Sequence, residues 1–107
     1  MEMIDLKEVR TKEEKFKPHR LIQQDEVEVV LLPFAPGQGL KEHTTPVDVF
    51  FYVVEGMAEI QVGEEVKQVE DGNIVLSPKG IPHNVRNTSD EDVKVMVVKT
   101  PNPKSLK

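Results

Sequence analysis

The chain has 107 residues, of which 37% are hydrophobic and 31% are charged, and its formal net charge is −5. This length predicts a single domain, residues 1–107, with a core of modest size. The acidic balance argues against a nucleic-acid partner, because phosphate recognition needs a basic face and the Lys and Arg residues are scattered along the chain. The absence of cysteine excludes disulfides and thiolate chemistry.

The sequence carries no signal for membrane insertion or export. The first residues, Met1–Asp5, are acidic and lack an apolar stretch of signal-peptide length. The longest unbroken apolar run, Val49–Val54, is too short to cross a bilayer. We therefore expect a cytoplasmic protein with no membrane partner.

Short apolar runs separated by turn signals indicate an all-β sandwich or small barrel. Seven strands are predicted from alternation and β-branched composition: Val27–Phe34, Asp48–Val54, Met57–Val62, Val66–Val69, Asn73–Ser77, His83–Asn87 and Val93–Lys99. No stretch of useful length has the 3.6-residue period of a core helix, which excludes most α/β enzyme folds. Residues 1–20 are expected to form an N-terminal arm, 21–100 the barrel and 101–107 a surface tail.

The predicted strand Asp48–Val54 is apolar on both faces, so both faces must be covered. If Val49 faces a pocket, so does Phe51, because side chains alternate along a strand. Phe50 and Tyr52 then face outward and need a second sheet or a second subunit to cover them. We therefore expect a homodimer.

Two segments of the chain resemble the paired sequence motifs of the cupin family. The first cupin motif is a glycine, five residues, His-x-His, then a glutamate, and a glycine after six more; Gly37, His43 and Gly56 fit it. The second is a glycine, five residues, Pro-x-Gly, two residues, His, three residues and Asn. The positions that fit the second motif are Gly72, Pro78, Gly80, His83 and Asn87.

This resemblance implies a cupin-type jelly-roll β-barrel with a central pocket. Cupins hold one ion with two histidines and a glutamate from the first motif and a histidine from the second. Here Thr45 stands at the second histidine position and Val49 at the glutamate position, so only His43 and His83 carry over as metal ligands. A divalent metal such as zinc, nickel, manganese or iron would have two protein ligands, which predicts weak binding or none. Asp48 is adjacent to the glutamate position, but strand alternation should turn it to the opposite face.

The resemblance leaves several functions open. One is binding of a small organic ligand in the central pocket, with weak or no divalent metal. Another is a metal-dependent enzyme, an oxygenase or isomerase, in which water and substrate fill the open coordination positions. A third is a stress or regulatory module without a pocket function of its own. Val49 favours binding, because it removes a metal ligand and makes the pocket drier. The residues expected in the ligand pocket are Gln38, His43, Thr45, Val49, Phe51 and His83.

Overall fold

Within residues 1–11 and 15–106, which are those that the computed structural model describes, eight strands form two antiparallel sheets. The strands are β1 (His19–Gln24), β2 (Val27–Phe34), β3 (Asp48–Glu55), β4 (Met57–Val62), β5 (Glu65–Glu70), β6 (Ile74–Ser77), β7 (His83–Arg86) and β8 (Val93–Thr100). The order is β1-β2-β8-β3-β6 in the larger sheet and β5-β4-β7 in the smaller one. Two 3₁₀ turns, Leu6–Glu8 and Pro103–Ser105, are neither long nor apolar enough to span a bilayer.

The all-β prediction is confirmed, and each of the seven expected strands is present with bounds that differ by at most one residue. The remaining strand, β1, has no alternating pattern, because its apolar residues Leu21 and Ile22 are adjacent. It forms through antiparallel pairing with β2, with an irregularity between Arg20 and Ile22. It begins at His19, so the barrel starts two residues inside the segment assigned to the arm.

The C-terminal segment packs back onto the turn between β1 and β2. Asn102 is buried, and its backbone N–H donates to the carbonyl of Asp25 at 3.0 Å. The hydroxyl of Ser105 donates to the same carbonyl at 3.1 Å. These bonds place Pro103 and Lys104 at the wall of the barrel cavity.

The barrel interior is one hydrophobic cluster built from alternate residues of both sheets. The larger sheet contributes Val30, Leu32, Phe34, Val49, Phe51, Val53, Val93, Val95 and Val97, and the smaller sheet contributes Ala58, Ile60, Val69 and Val85. Phe16 stacks on Phe34 with ring centroids 4.7 Å apart, so the arm covers the core where β2 ends. The opposite end of the barrel carries the polar residues described below.

The outer side of the larger sheet is a second apolar surface, here called the outer apolar face. Four neighbouring strands contribute to it in register: Val29 on β2, Met96 and Val98 on β8, Phe50 and Tyr52 on β3, and Ile74 and Leu76 on β6. Leu31 on β2 points to the same side but is fully buried within the chain. Ile74 and Leu76 are 65% and 51% exposed. Contiguous exposed apolar surface is typical of interaction sites in soluble proteins.

We propose that a second copy of the chain covers the outer apolar face, giving the homodimer expected from the sequence. Two copies of one apolar surface are self-complementary under two-fold symmetry, and the interface should exceed ~1,000 Å². The double variant Ile74→Glu/Leu76→Glu places charges in that interface and should be monomeric by light scattering at micromolar concentration. Val66→Glu, at an exposed apolar site on the smaller sheet, is the control and should stay dimeric. A monomeric native chain contradicts the proposal.

Candidate functional site

A cavity of about 470 Å³ opens at the end of the barrel where β2 and β3 begin and β8 ends. Its apolar walls include Val30, Leu32, Val49, Phe51 and Val97. Its polar lining includes His43, His83, Arg20, Glu28, Lys41, Lys99 and Lys104. The cavity is therefore apolar along the barrel and charged at its mouth.

An ion pair between Glu28 and Lys99 lies in the lining of the cavity, next to its apolar wall. Glu28 on β2 is the register partner of Lys99 on β8, which is in turn the partner of Val49 on β3, and all three line the cavity. Lys99 Nζ lies 3.2 Å from Glu28 Oε1, and Lys104 Nζ lies 3.9 Å from Glu28 Oε2. The Glu28 side chain is buried, while that of Lys99 is 25% exposed.

The Glu28 carboxyl is held in its ionised form. Burial raises its pKa, but a hydrogen bond with Gln23 and the hydrogen bond and charge of Lys99 act in the opposite direction, together with the charge of Lys104. The net effect is a pKa below the ordinary value of 4.5, so the pair with Lys99 is an ion pair at neutral pH. The Oε2 atom of Glu28 is buried and accepts no hydrogen bond from the part of the chain that the structure describes.

The two histidines are brought together by their backbones. His43 lies in the loop before β3 and His83 begins β7, and each backbone N–H donates to the other residue's carbonyl, at 3.1 and 2.9 Å. This isolated antiparallel bridge directs both side chains to the same point, with the Nε2 atoms 3.3 Å apart. The imidazole planes are nearly perpendicular, at 86°. This bridge confirms the expectation from the sequence that the histidines of the two motifs lie within reach of each other.

With both imidazoles neutral, the surrounding groups fix where the ring protons lie. The carbonyl of Lys41 can only accept, so His43 Nδ1 carries a proton and donates to it at 2.9 Å. His43 Nε2 is then an acceptor, and His83 Nε2–H donates to it. The other nitrogen of His83, Nδ1, accepts from the Ser77 hydroxyl at 2.8 Å. The Thr45 hydroxyl oxygen lies 3.2 Å from His83 Nε2.

His83 resists protonation. Burial lowers its pKa from 6.5 to about 4, and electrostatic interactions with His43 and Lys99 act in the same direction. The ring is 2% exposed, and the edge of Phe51 packs against it with centroids 5.2 Å apart. His83 is therefore a neutral hydrogen-bonding group at the end of the cavity at physiological pH.

The other residues expected in the pocket have different positions. Val49 and Phe51 line the cavity, as their strand phase predicts. Thr45 is buried behind His83 and does not line it. Gln38 does not line it either, because its side-chain oxygen accepts from the Ala35 backbone N–H at 2.8 Å within its own loop.

The charged residues at the cavity mouth lie outside the two cupin motifs, so the motifs did not predict them as pocket residues. Glu28 and Lys99 do carry a signal, since each lies two residues from an inward-facing valine and so shares its phase. Arg20 carries none, because β1 lacks a periodic pattern. Lys104 carries none, because the contact with Asp25 that brings the tail to the cavity is long-range.

The histidine pair meets only part of what a metal ion requires. For nitrogens ~2.1 Å from one ion, the 3.3 Å between the Nε2 atoms corresponds to a ligand angle of about 100°. The third and fourth cupin ligand positions are filled by Thr45 and Val49. Asp48 is turned away and accepts from the Lys79 backbone N–H at 2.8 Å. Among residues 1–11 and 15–106, no group of three or more His, Cys, Asp or Glu side chains is placed to hold an ion. This donor set does not fit a metal centre with three protein ligands.

Comparison with known proteins identifies the fold. A family model described as "Cupin domain" matches residues 30–99. The TT1209 protein of Thermus thermophilus is 34% identical, with a TM-score of 0.89 over 94% of this chain and 98% of that chain. An RmlC-like cupin protein of Desulfovibrio desulfuricans is 28% identical, with a TM-score of 0.83 over 94% and 97%. The predicted jelly-roll barrel is confirmed by these likenesses.

Among curated sequences, an uncharacterised protein of Streptomyces coelicolor is 43% identical over 54 residues, which are 50% of this chain and 50% of that protein. The chain spans about half the length of the curated relatives it matches. These relatives therefore inform the barrel domain alone.

The depressed pKa of His83 predicts a loss of stability in acid. The unfolded imidazole takes up a proton below pH 6.5, whereas the folded ring resists it down to about pH 4. Stability is therefore complete above pH 6.5 and falls as the pH drops toward 4, by on the order of 2 to 3 kcal/mol from this residue. Urea unfolding at pH 7.5 and 4.5 should show that His83→Gln loses less stability between these pH values than the native chain. Equal losses would mean that His83 titrates normally.

Proposed function

This chain belongs to the cupin family, and we propose that it binds a small organic molecule in its barrel pocket, with divalent metal bound weakly or not at all. The observation that carries this proposal is the cavity itself. Its volume of about 470 Å³ falls in the range of small-molecule sites, and it combines apolar walls with a few convergent polar groups.

The composition of the metal position supports binding rather than metal chemistry. Val49 is 1% exposed and offers no ligand atom, and Thr45 is engaged with His83. The Lys99 ammonium, which is held by Glu28 on β2, adds positive charge near His83. A fixed positive charge there disfavours a divalent cation nearby.

A metal-dependent enzyme, an oxygenase or isomerase, is the second candidate. It is favoured by the convergence of the two Nε2 atoms, and by the Lys41 carbonyl and Ser77 hydroxyl that occupy the Nδ1 atoms. Outer hydrogen bonds of this kind orient metal-binding imidazoles in other proteins. Metal analysis of the chain purified without an affinity tag separates the two candidates.

Restoring the cupin ligands should create a tight metal site. Thr45→His/Val49→Glu adds an imidazole and a carboxylate to His43 and His83, and metal-stripped protein should bind nickel, zinc or manganese more than about 100-fold more tightly by calorimetry. Without metal, the new Glu lies in an apolar pocket while the Lys99 ammonium is already paired with Glu28, so the variant should lose thermal stability. Thr44→His, at an exposed neighbouring site, is the control and should bind like the native chain. A native chain that keeps one ion through dialysis against a chelator supports the enzyme instead.

Filling the cavity should abolish ligand binding. We expect saturation-transfer NMR to find compounds that bind the native chain in a set of small aromatic and aliphatic molecules of varied charge. Val97→Phe enlarges a buried side chain of the cavity wall and should eliminate these signals. Val66→Phe makes the same change at an exposed site and should retain them. If no signal depends on Val97, the pocket is not a binding site.

A further inference from the structure

We propose that the ligand of this pocket is an organic anion, a carboxylate carried on an apolar body, and that Lys99 is the fixed cation that receives it. This inference rests on the proposed binding function and names the chemical class of the ligand. It places an ammonium in the role that a metal ion has in cupins with a complete ligand set.

The first argument is the charge of the cavity lining. Among the described residues, four cationic side chains line it, Arg20, Lys41, Lys99 and Lys104, against one carboxylate, that of Glu28. The chain as a whole has a net charge of −5, so this local excess of positive charge is opposite to the charge of the protein. A cationic cavity with low-dielectric walls attracts anions and concentrates them.

The second argument is the position of Lys99. It is the register partner of Val49, the residue at the cupin glutamate position, and both line the cavity. Its side chain is 25% exposed, and its Nζ is paired with Glu28 Oε1 at 3.2 Å. An ammonium has three donors, so one ion pair leaves donors for a ligand carboxylate in the cavity that Lys99 lines.

Glu28 positions the Lys99 ammonium and also reduces its attraction for an anionic ligand. Its carboxylate is buried, with one oxygen on Lys99 and the other only 3.9 Å from Lys104 Nζ. A ligand carboxylate and Glu28 therefore compete for the same ammonium groups. Removing the charge of Glu28 should strengthen anion binding, whereas removing Lys99 should weaken it.

The rest of the cavity specifies the ligand body. Val30, Val49, Phe51 and Val97 form walls that cannot hydrogen-bond a polar chain such as a sugar. Together the walls and the mouth match a molecule with one charged end and one apolar end. An aryl or alkyl carboxylate has this form.

The test uses three probes of one shape: phenylacetate, phenylacetamide and phenethylamine. Calorimetry on the native chain should show phenylacetate binding at least about 10-fold more tightly than the amide, with the amine weakest. Lys99→Met should remove the preference for the carboxylate over the amide, while Glu28→Gln should increase it several-fold. Lys67→Met, at a side chain that is 74% exposed on β5, is the control and should change nothing.

The variants also separate a binding role from a structural one. If Lys99→Met unfolds because Glu28 is left buried without its partner, Glu28→Gln/Lys99→Met removes both charges and gives the same measurement. Opposite effects of Glu28→Gln and loss of Lys99 support the proposal, since general destabilisation would weaken binding in both. Equal binding of acid and amide, or a preference that survives the loss of Lys99, overturns the anion proposal and leaves pocket binding intact. If neither these probes nor the wider compound set binds, the proposed function itself is wrong.

Discussion

The two backbone hydrogen bonds between His43 and His83 are the constraint on which the site depends. They attach the loop before β3 to the smaller sheet, so that residues 40 positions apart in sequence share one end of the barrel. The bridge sets the 3.3 Å between the Nε2 atoms, and Ser77 occupies the remaining nitrogen of His83. Burial of the His83 imidazole disfavours its charged form, and together with the electrostatic effects of His43 and Lys99 this burial accounts for its low pKa.

The charge of the site comes from the neighbouring strands. Cupins with a complete ligand set place a carboxylate at the position of Val49 and a metal cation beside it. Here that position is apolar, and the cation is the ammonium of Lys99, held by Glu28 at 3.2 Å. A lysine supplies one charge on a flexible stem and has no open coordination positions for chemistry. We propose that a pocket without the cupin metal ligands recognises its ligand through this ammonium.

The fold was predictable because its signals are local. Alternation and β-branched composition identify seven strands, and the glycines, prolines and histidines at motif spacing identify the barrel and the meeting of His43 with His83. Strand β1 was not predicted, because it has no alternating hydrophobic pattern and forms through its pairing with β2. The loop conformation that directs the Gln38 side chain to Ala35 has no periodic signature, so the sequence could not predict it. The Glu28–Lys99 pair required the register of β2 and β8, which neither strand's own sequence specifies.

A crystal structure with anomalous data across the zinc, nickel, iron and manganese absorption edges tests the central claim most directly. We predict no anomalous peak between His43 and His83, a direct hydrogen bond between their Nε2 atoms, and the Lys99 ammonium facing the cavity. An anomalous peak bonded to both Nε2 atoms at ~2.1 Å in protein grown and crystallised without added metal would contradict it.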